Sequence, residues 1–201
     1  MTPDQFQNRT GVSRETLERL EIYSAELYRW NKAINLVSKR TLPEVWQRHF
    51  LDSWQLLDGD ADLSRRWVDL GSGGGFPALV LAACGVSDIT LVESDIRKGT
   101  FLREAARKMD VTITVLSQRV EACAPQNADI ISARAFAPLH RLMEYAEPHL
   151  QQDGQLRLLK GQDVEAELTE ATKYWTFDID RRPSLSDAGG TVLTIKDVNR
   201  V

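Results

Sequence analysis

Apolar residues follow two periodicities along this chain, and the change between them marks its organisation. Leu17, Leu20, Leu27 and Tyr28 fall at helical spacing and predict an amphipathic helix over residues 13–30. Thr41-Leu42-Pro43-Glu44 has the form of a capping box, with Thr41 as N-cap and Glu44 at N3. The helix it opens carries Trp46, Phe50, Ser53, Trp54 and Leu57 on one face. On another face Arg48 and Asp52 stand four apart, in reach of each other. Asp58-Gly59-Asp60-Ala61-Asp62 reads as a loop. Beyond it, short apolar blocks alternate with helical stretches. Strands are predicted at 66–70, 88–93, 111–116, 129–133 and 154–160, and helices at 77–84, 97–109, 138–147 and 163–174. That alternation implies a parallel sheet with helices on both faces. Residues 174–182 and 191–198 are strand-like and joined by Asp187-Ala188-Gly189-Gly190, so a hairpin adds an antiparallel edge strand. The division expected is a helical extension, 1–62, packed as one unit with an α/β domain, 63–201.

Composition narrows the class. With 42% hydrophobic and 27% charged residues, the 201-residue chain reads as a soluble globular protein. No apolar run approaches the roughly 20 residues needed to span a bilayer, and residues 1–20 hold no signal-peptide core. Cys84 and Cys123 lack metal-ligand spacing and read as mostly buried free thiols in a reducing cytosol. His49, His140 and His149 form no paired motif, so no metal site is expected. The net charge of −4 argues at first against nucleic acid. Its distribution softens that reading: residues 95–121 hold six bases against four acids, and residues 162–201 hold five against eight.

The candidate chemistry centres on Val68-Asp69-Leu70-Gly71-Ser72-Gly73-Gly74-Gly75-Phe76-Pro77. An apolar strand ends in an acid, enters a glycine loop and meets a helix opened by proline. Glycines 71, 73 and 75 allow a sharp turn and close approach of a ligand to the backbone. A dinucleotide loop places a third glycine where this chain has Phe76, which disfavours a pyrophosphate and leaves room for a smaller adenosine ligand. Glu93 ends the next strand, where a carboxylate can accept hydrogen bonds from both ribose hydroxyls. Together these features favour S-adenosylmethionine.

The motif order resembles a class I methyltransferase, and more narrowly the ribosomal RNA small subunit methyltransferase G family, also called glucose-inhibited division protein B. The residues carrying the resemblance are Trp30-Asn31-Lys32-Ala33-Ile34-Asn35-Leu36, Arg48-His49-Phe50-Leu51-Asp52-Ser53 and the loop from Asp69 to Pro77. Arg97-Lys98-Gly99-Thr100-Phe101-Leu102, Ser132-Ala133-Arg134-Ala135 and Leu159-Lys160-Gly161 complete the set. They cover roughly residues 28–161 in family order. Gly74 stands where alanine is common, a change expected to be harmless, and Ala78 where glycine is common.

The resemblance implies a Rossmann-like fold with a mostly parallel seven-stranded sheet, an antiparallel C-terminal hairpin strand and an N-terminal helical extension. It implies methyl transfer from S-adenosylmethionine to N7 of a guanosine in the 530 loop of 16S ribosomal RNA, within the small ribosomal subunit, by a cytoplasmic monomer. Asp69, Gly71, Gly73, Gly75, Phe76 and Glu93 would hold the cofactor, with Val120 and Glu121 at adenine. Arg134 follows the fourth strand, where acceptor-side residues stand. It would bind the methionine carboxylate, a phosphate or the base edge. Lys160 and Arg119 are expected on the same surface as phosphate contacts. Asn35, His49 and Asp52 match family motifs, and a structural role is preferred for Asp52. Two other readings stay open: a class I methyltransferase for a small molecule or protein, and a non-catalytic cofactor- or ribosome-binding protein.

Overall fold

The computed structural model describes residues 1–57 and 62–201; of the loop expected at 58–62, only Asp62 lies within them. Helix α1 spans Pro3–Thr10, opened by a reciprocal capping box between Thr2 and Gln5 and closed by left-handed Gly11. Its single buried side chain, Phe6, gives no periodicity, and so the pattern reading missed it. Helix α2, Arg14–Trp30, is capped by Ser13 and buries Leu17, Leu20, Tyr23 and Leu27. Tyr28 does not share that face. It is exposed, and its hydroxyl donates to the Leu42 carbonyl at 2.9 Å.

The expected capped helix after Thr41 is a chain of unlike turns. A 3-10 turn, Leu42–Glu44, leads to a π-helical turn, Trp46–Leu51, then one α-helical turn, α3, Asp52–Trp54, and a 3-10 turn, Gln55–Leu57. Thr41 makes no capping bond, because its backbone is already helical and its hydroxyl is engaged by Ser38 and His49. The π turn shifts the side-chain register, so residues four apart no longer share a face. Arg48 therefore pairs with Asp187 at 2.7 Å and Asp52 with Arg134 at 3.5 Å, in place of the expected Arg48–Asp52 pair.

The sheet follows, with strands β1 (Arg66–Leu70), β2 (Asp88–Val92), β3 (Thr114–Leu116), β4 (Ala128–Arg134), β5 (Leu150–Lys160), β6 (Trp175–Pro183) and β7 (Thr191–Arg200). Its helices are α4 (Ala78–Ala83), α5 (Ile96–Met109), α6 (Leu139–Ala146) and α7 (Val164–Ala171). The strand order is β3-β2-β1-β4-β5-β7-β6. β1 to β5 pair in parallel, and β7 runs antiparallel to both β5 and β6. The antiparallel strand is therefore interior, and the edge strand β6 runs in the direction of β5. β3 starts later than expected because Val111 donates its N–H to Ala106, closing α5 beyond left-handed Asp110.

Alternate strand residues face opposite layers. Trp67, Ile89, Leu91 and Ile130 pack with α1, α2, α4 and α5. Val68, Leu70, Ile131, Leu156 and Leu158 pack with α6 and α7. The helical lead thus covers one face of the sheet: Phe6, Leu20, Tyr23 and Phe50 lie in one buried cluster with Phe76 and Phe101. Cys84 and Cys123 are free thiols and only partly buried. Among the described residues no helix is long and apolar enough to cross a membrane.

Candidate active site

The sequence-selected site residues from Asp69 to Lys160 lie at or just beyond the carboxyl ends of parallel strands, around the point where strand order reverses between β1 and β4, while Asn35, His49 and Asp52 come from the helical lead. Gly71, Gly73 and Gly75 adopt left-handed φ angles of 69°, 54° and 92°. A Cβ at Gly71 would overlap the Phe136 ring, and one at Gly75 would lie 2.6 Å from Leu79 Cδ1. The Gly71 and Ser72 amides donate to the Val92 carbonyl at 2.9 and 3.2 Å, fastening the loop to the end of β2. Glu93 Oε2 accepts from the Gly73 amide at 2.8 Å and Oε1 from the Asp95 amide at 2.7 Å. Each oxygen keeps a further lone pair for a ligand.

Asp69 is fully buried, and Ser132 donates to its Oδ1 at 2.8 Å while Oδ2 has no partner. Burial pushes its carboxyl up to about 7, against hydrogen bonds from Ser72 and Ser132. Phe76 packs its ring 4.8 Å from that of His49 and 5.3 Å from that of Tyr23. The Tyr23 hydroxyl, reaching across from α2, donates to the Gly74 carbonyl. The Leu36 carbonyl would lie 3.0 Å from a Cβ at Gly74, so the loop from residue 31 to 41 packs closely on the glycine loop at this point.

Two clefts flank this loop. The first, about 490 Å³, is lined by Gly71, Glu93, Arg119, Val120, Glu121 and Phe136. The second, about 590 Å³, is lined by Arg48, His49, Asp52, Arg134, Lys160 and Asp187 among others. Phe136, Ala137 and Pro138 border both and form the dividing wall.

The second cleft is a set of closed ion pairs. The Arg134 guanidinium lies 4.6 Å over the Phe76 ring and donates to the Arg48 carbonyl at 3.4 Å. Its partner Asp52 also accepts from Ser186 at 2.6 Å and Gln55 at 3.1 Å. Lys160 Nζ sits 2.7 Å from Glu167 and donates to the Ala137 carbonyl at 3.1 Å. The same Glu167 oxygen accepts the Leu139 amide at 2.7 Å, at the start of α6. His49 is held neutral: burial, then Arg134 and Arg48, bring its pKa down to about 3.

Arg134 thus stands at the second cleft with His49 and Asp52. Arg119 does not join them, because it follows β3 and lines the first cleft. Lys160 is not presented as a free phosphate contact, since its buried ammonium clamps the dividing wall to α7. Asn35 is exposed and lines neither cleft. The residues to which sequence reasoning gave no part in the site are Tyr23, Glu167 and Asp187, and Ser132 entered only as a member of the Ser132–Ala135 motif, without its bond to Asp69. Tyr23 had a signal in its place between Leu20 and Leu27 on α2.

Solved structures share this fold. The ribosomal protein L11 methylase from Lactobacillus delbrueckii subsp. bulgaricus matches with a TM-score of 0.59 at 20% identity, over 73% of this chain and 76% of that one. M. jannaschii TYW2, solved in complex with AdoMet, matches with a TM-score of 0.55 at 11% identity, over 85% and 80%. The architecture is that of the class I methyltransferases. Residues 16–191 match the family model for rRNA small subunit methyltransferase G, GidB. The protein of that name from Paramagnetospirillum magneticum is 50% identical over 200 residues, covering 100% of this chain and 98% of the relative. The chain belongs to the rRNA small subunit methyltransferase G family.

Proposed function

We propose that this chain transfers the methyl group of S-adenosylmethionine to N7 of a guanosine in the 530 loop of 16S ribosomal RNA, position 527 in the usual rRNA numbering. The observation that carries the choice of atom is the state of the second cleft. Its three carboxylates each face a cation, Asp52 with Arg134, Asp187 with Arg48 and Glu167 with Lys160, and its histidine is a very weak base, its pKa drawn down to about 3 by burial and two guanidinium groups. Among the described residues that line it, none is both unpaired and basic enough to serve as a general base. Guanine N7 needs none, because it carries an in-plane lone pair and no proton.

The donor supplies an electrophilic methyl on a sulfonium. The first cleft fits its adenosine: Glu93 holds the ribose and Val120 and Glu121 flank the adenine, while Asp69, buried beneath the loop and lining neither cleft, acts on the cofactor's amino group directly or through water. Left-handed Gly71, Gly73 and Gly75 keep side chains out of that path. On the acceptor side, Arg134 is oriented by Phe76 and Asp52, so its planar donors are fixed before the substrate arrives. Alignment of N7, methyl and sulfur is the protein's task. In A-form RNA the deep, narrow major groove hides N7, so the target is an unpaired or opened nucleotide. Residues 1–62 act here as a helical extension of a methyltransferase domain, 63–201, in a cytoplasmic monomer.

The test is incubation with labelled S-adenosylmethionine and small ribosomal subunits from a strain lacking this gene. Modified guanosines are then mapped by cleavage at N7-methyl sites. One mark in the 530 loop is the expected result. Label elsewhere overturns the substrate, and no transfer with cofactor binding intact overturns the reaction.

A further inference from the structure

We propose that the loop from Lys32 to Arg40 is a phosphate-docking arm, seating the RNA backbone beside the second cleft. This inference rests on the reading of RNA as the substrate. From Leu27 through Pro43 the chain holds Arg29, Lys32, Lys39 and Arg40 and not one Asp or Glu, although the whole chain carries a net charge of −4. Arg29 is neutralised by Glu26 at 2.5 Å. Lys32, Lys39 and Arg40 are exposed, and none has an ion-pair partner among the described residues. Exposed cations elsewhere are commonly matched, as in Arg14–Glu18, Arg66–Asp88, Lys173–Glu170 and Arg181–Glu165.

The arm is held at both ends and in the middle. Asn31 Oδ1 accepts from the Leu36 and Val37 amides at 2.9 and 3.0 Å. Ser38 accepts from the Thr41 amide at 3.1 Å, and the Thr41 hydroxyl lies 3.0 Å from His49 Nε2. Leu36 meets the glycine loop at Gly74. A backbone fixed in this way presents its charges without a large ordering cost on binding. Its position is equally defined: Lys39 and Arg40 directly precede Thr41, which lines the second cleft together with Arg48. A strand whose nucleotide enters that cleft passes these two side chains first.

The residue types select RNA over an acidic protein surface. The large apolar side chains of the loop, Trp30, Ile34, Leu36 and Val37, pack inward against the core. The exposed remainder, Ala33, Asn35 and Ser38, offers no aromatic or aliphatic anchor of the kind protein interfaces concentrate their energy in. Phosphate contacts need only placed positive charge.

The experiment compares wild type with Lys39→Gln/Arg40→Gln and with the triple variant adding Lys32→Gln. Binding to small ribosomal subunits and to protein-free small-subunit rRNA is measured from about 50 to about 200 mM salt, with methyl transfer in parallel. The triple variant is expected to raise KM for subunits at least ~10-fold and to flatten the log–log salt dependence by about one per substituted base. Its cofactor affinity stays at the wild-type value, which also reports that it is folded. Arg14→Gln, removing a paired cation on α2, leaves the salt slope unchanged. If wild type methylates subunits and the triple variant keeps the same KM and slope, the docking arm is wrong while the function stands. Weakened binding to subunits but not to protein-free rRNA assigns the arm to a ribosomal protein and overturns the RNA assignment. If wild type methylates no RNA, the function fails, and an unchanged binding slope then rejects the arm separately.

Discussion

The two clefts share a wall and are built by different means. The first is made of backbone: three left-handed glycines, the Gly71 and Ser72 amides fastened to the end of β2, and one carboxylate, Glu93, fixed by the Gly73 and Asp95 amides. The second is made of side chains from four distant stretches, around residues 48–52, 134, 160–167 and 187, cross-linked as ion pairs. A backbone cradle is laid down by a contiguous motif and tolerates little substitution. A side-chain cradle depends on partners that each hold another, so its members cannot be read one at a time.

The sharpest way to break the first cleft is Gly73→Asp. The Cβ itself has room, its nearest neighbour being the Gly71 carbonyl at 3.7 Å. The damage comes from a second carboxylate beside Glu93, and like charges a few ångströms apart cost several kcal/mol near a protein surface. Cofactor affinity should fall by roughly 100-fold or more. Titration calorimetry showing wild-type affinity would remove the loop from the site.

Arg134→Ala is the corresponding break in the second cleft. It strips Asp52 of its cation and Phe76 of its guanidinium cover. Turnover is expected to drop about 100-fold, with a much smaller change in cofactor affinity. Arg134→Lys should not restore it, because an ammonium cannot stack or donate in a planar fork. Equal losses in cofactor binding and turnover would move Arg134 to the first cleft.

Lys160 and Glu167 sharpen the comparison at the shared wall. If Lys160 clamps the wall, Lys160→Met and Glu167→Ala lower kcat alike, by about 10-fold, and leave KM for subunits unchanged. If it contacts phosphate, only Lys160→Met raises that KM.

The smallest effect is a pH dependence. The cofactor-free protein keeps Asp69 protonated below about 7, and a cofactor ammonium acting on it, as proposed, would favour its ionised form. Affinity should therefore rise with pH up to about 7, by no more than about tenfold per unit, and level off above it. Asp69→Asn should flatten the profile; a profile unchanged by that substitution would place the titration elsewhere.

These differences explain what the sequence disclosed. The sheet was legible because each strand is a short apolar block and each βα turn keeps its chemistry local. Gly71, Gly73, Gly75 and Glu93 could be named for the same reason. Arg134 could be placed by its position after β4. The Arg48–Asp52 pairing went wrong because a π turn leaves no mark in hydrophobic spacing. The Lys160–Glu167 pair was not foreseen because Glu167, seven residues on, folds back from α7, and nothing local signals that return. Tyr23 was not singled out, since no pattern tells that its hydroxyl reaches a loop 51 residues away.

That reach from α2 to Gly74 bears on how the chain is made. Phe6, Leu20 and Tyr23 leave the ribosome well before part of the surface that buries them, Phe76 on the glycine loop and Phe101 on α5. Trp46 and Phe50 cover part of the aromatic face of the first two helices, against Phe6 and Tyr23, and the remainder stays open until residue 101 has emerged. These two helices therefore depend on restraint from aggregation for a long stretch of synthesis. The cofactor loop takes its final shape only when both ends of that interval meet.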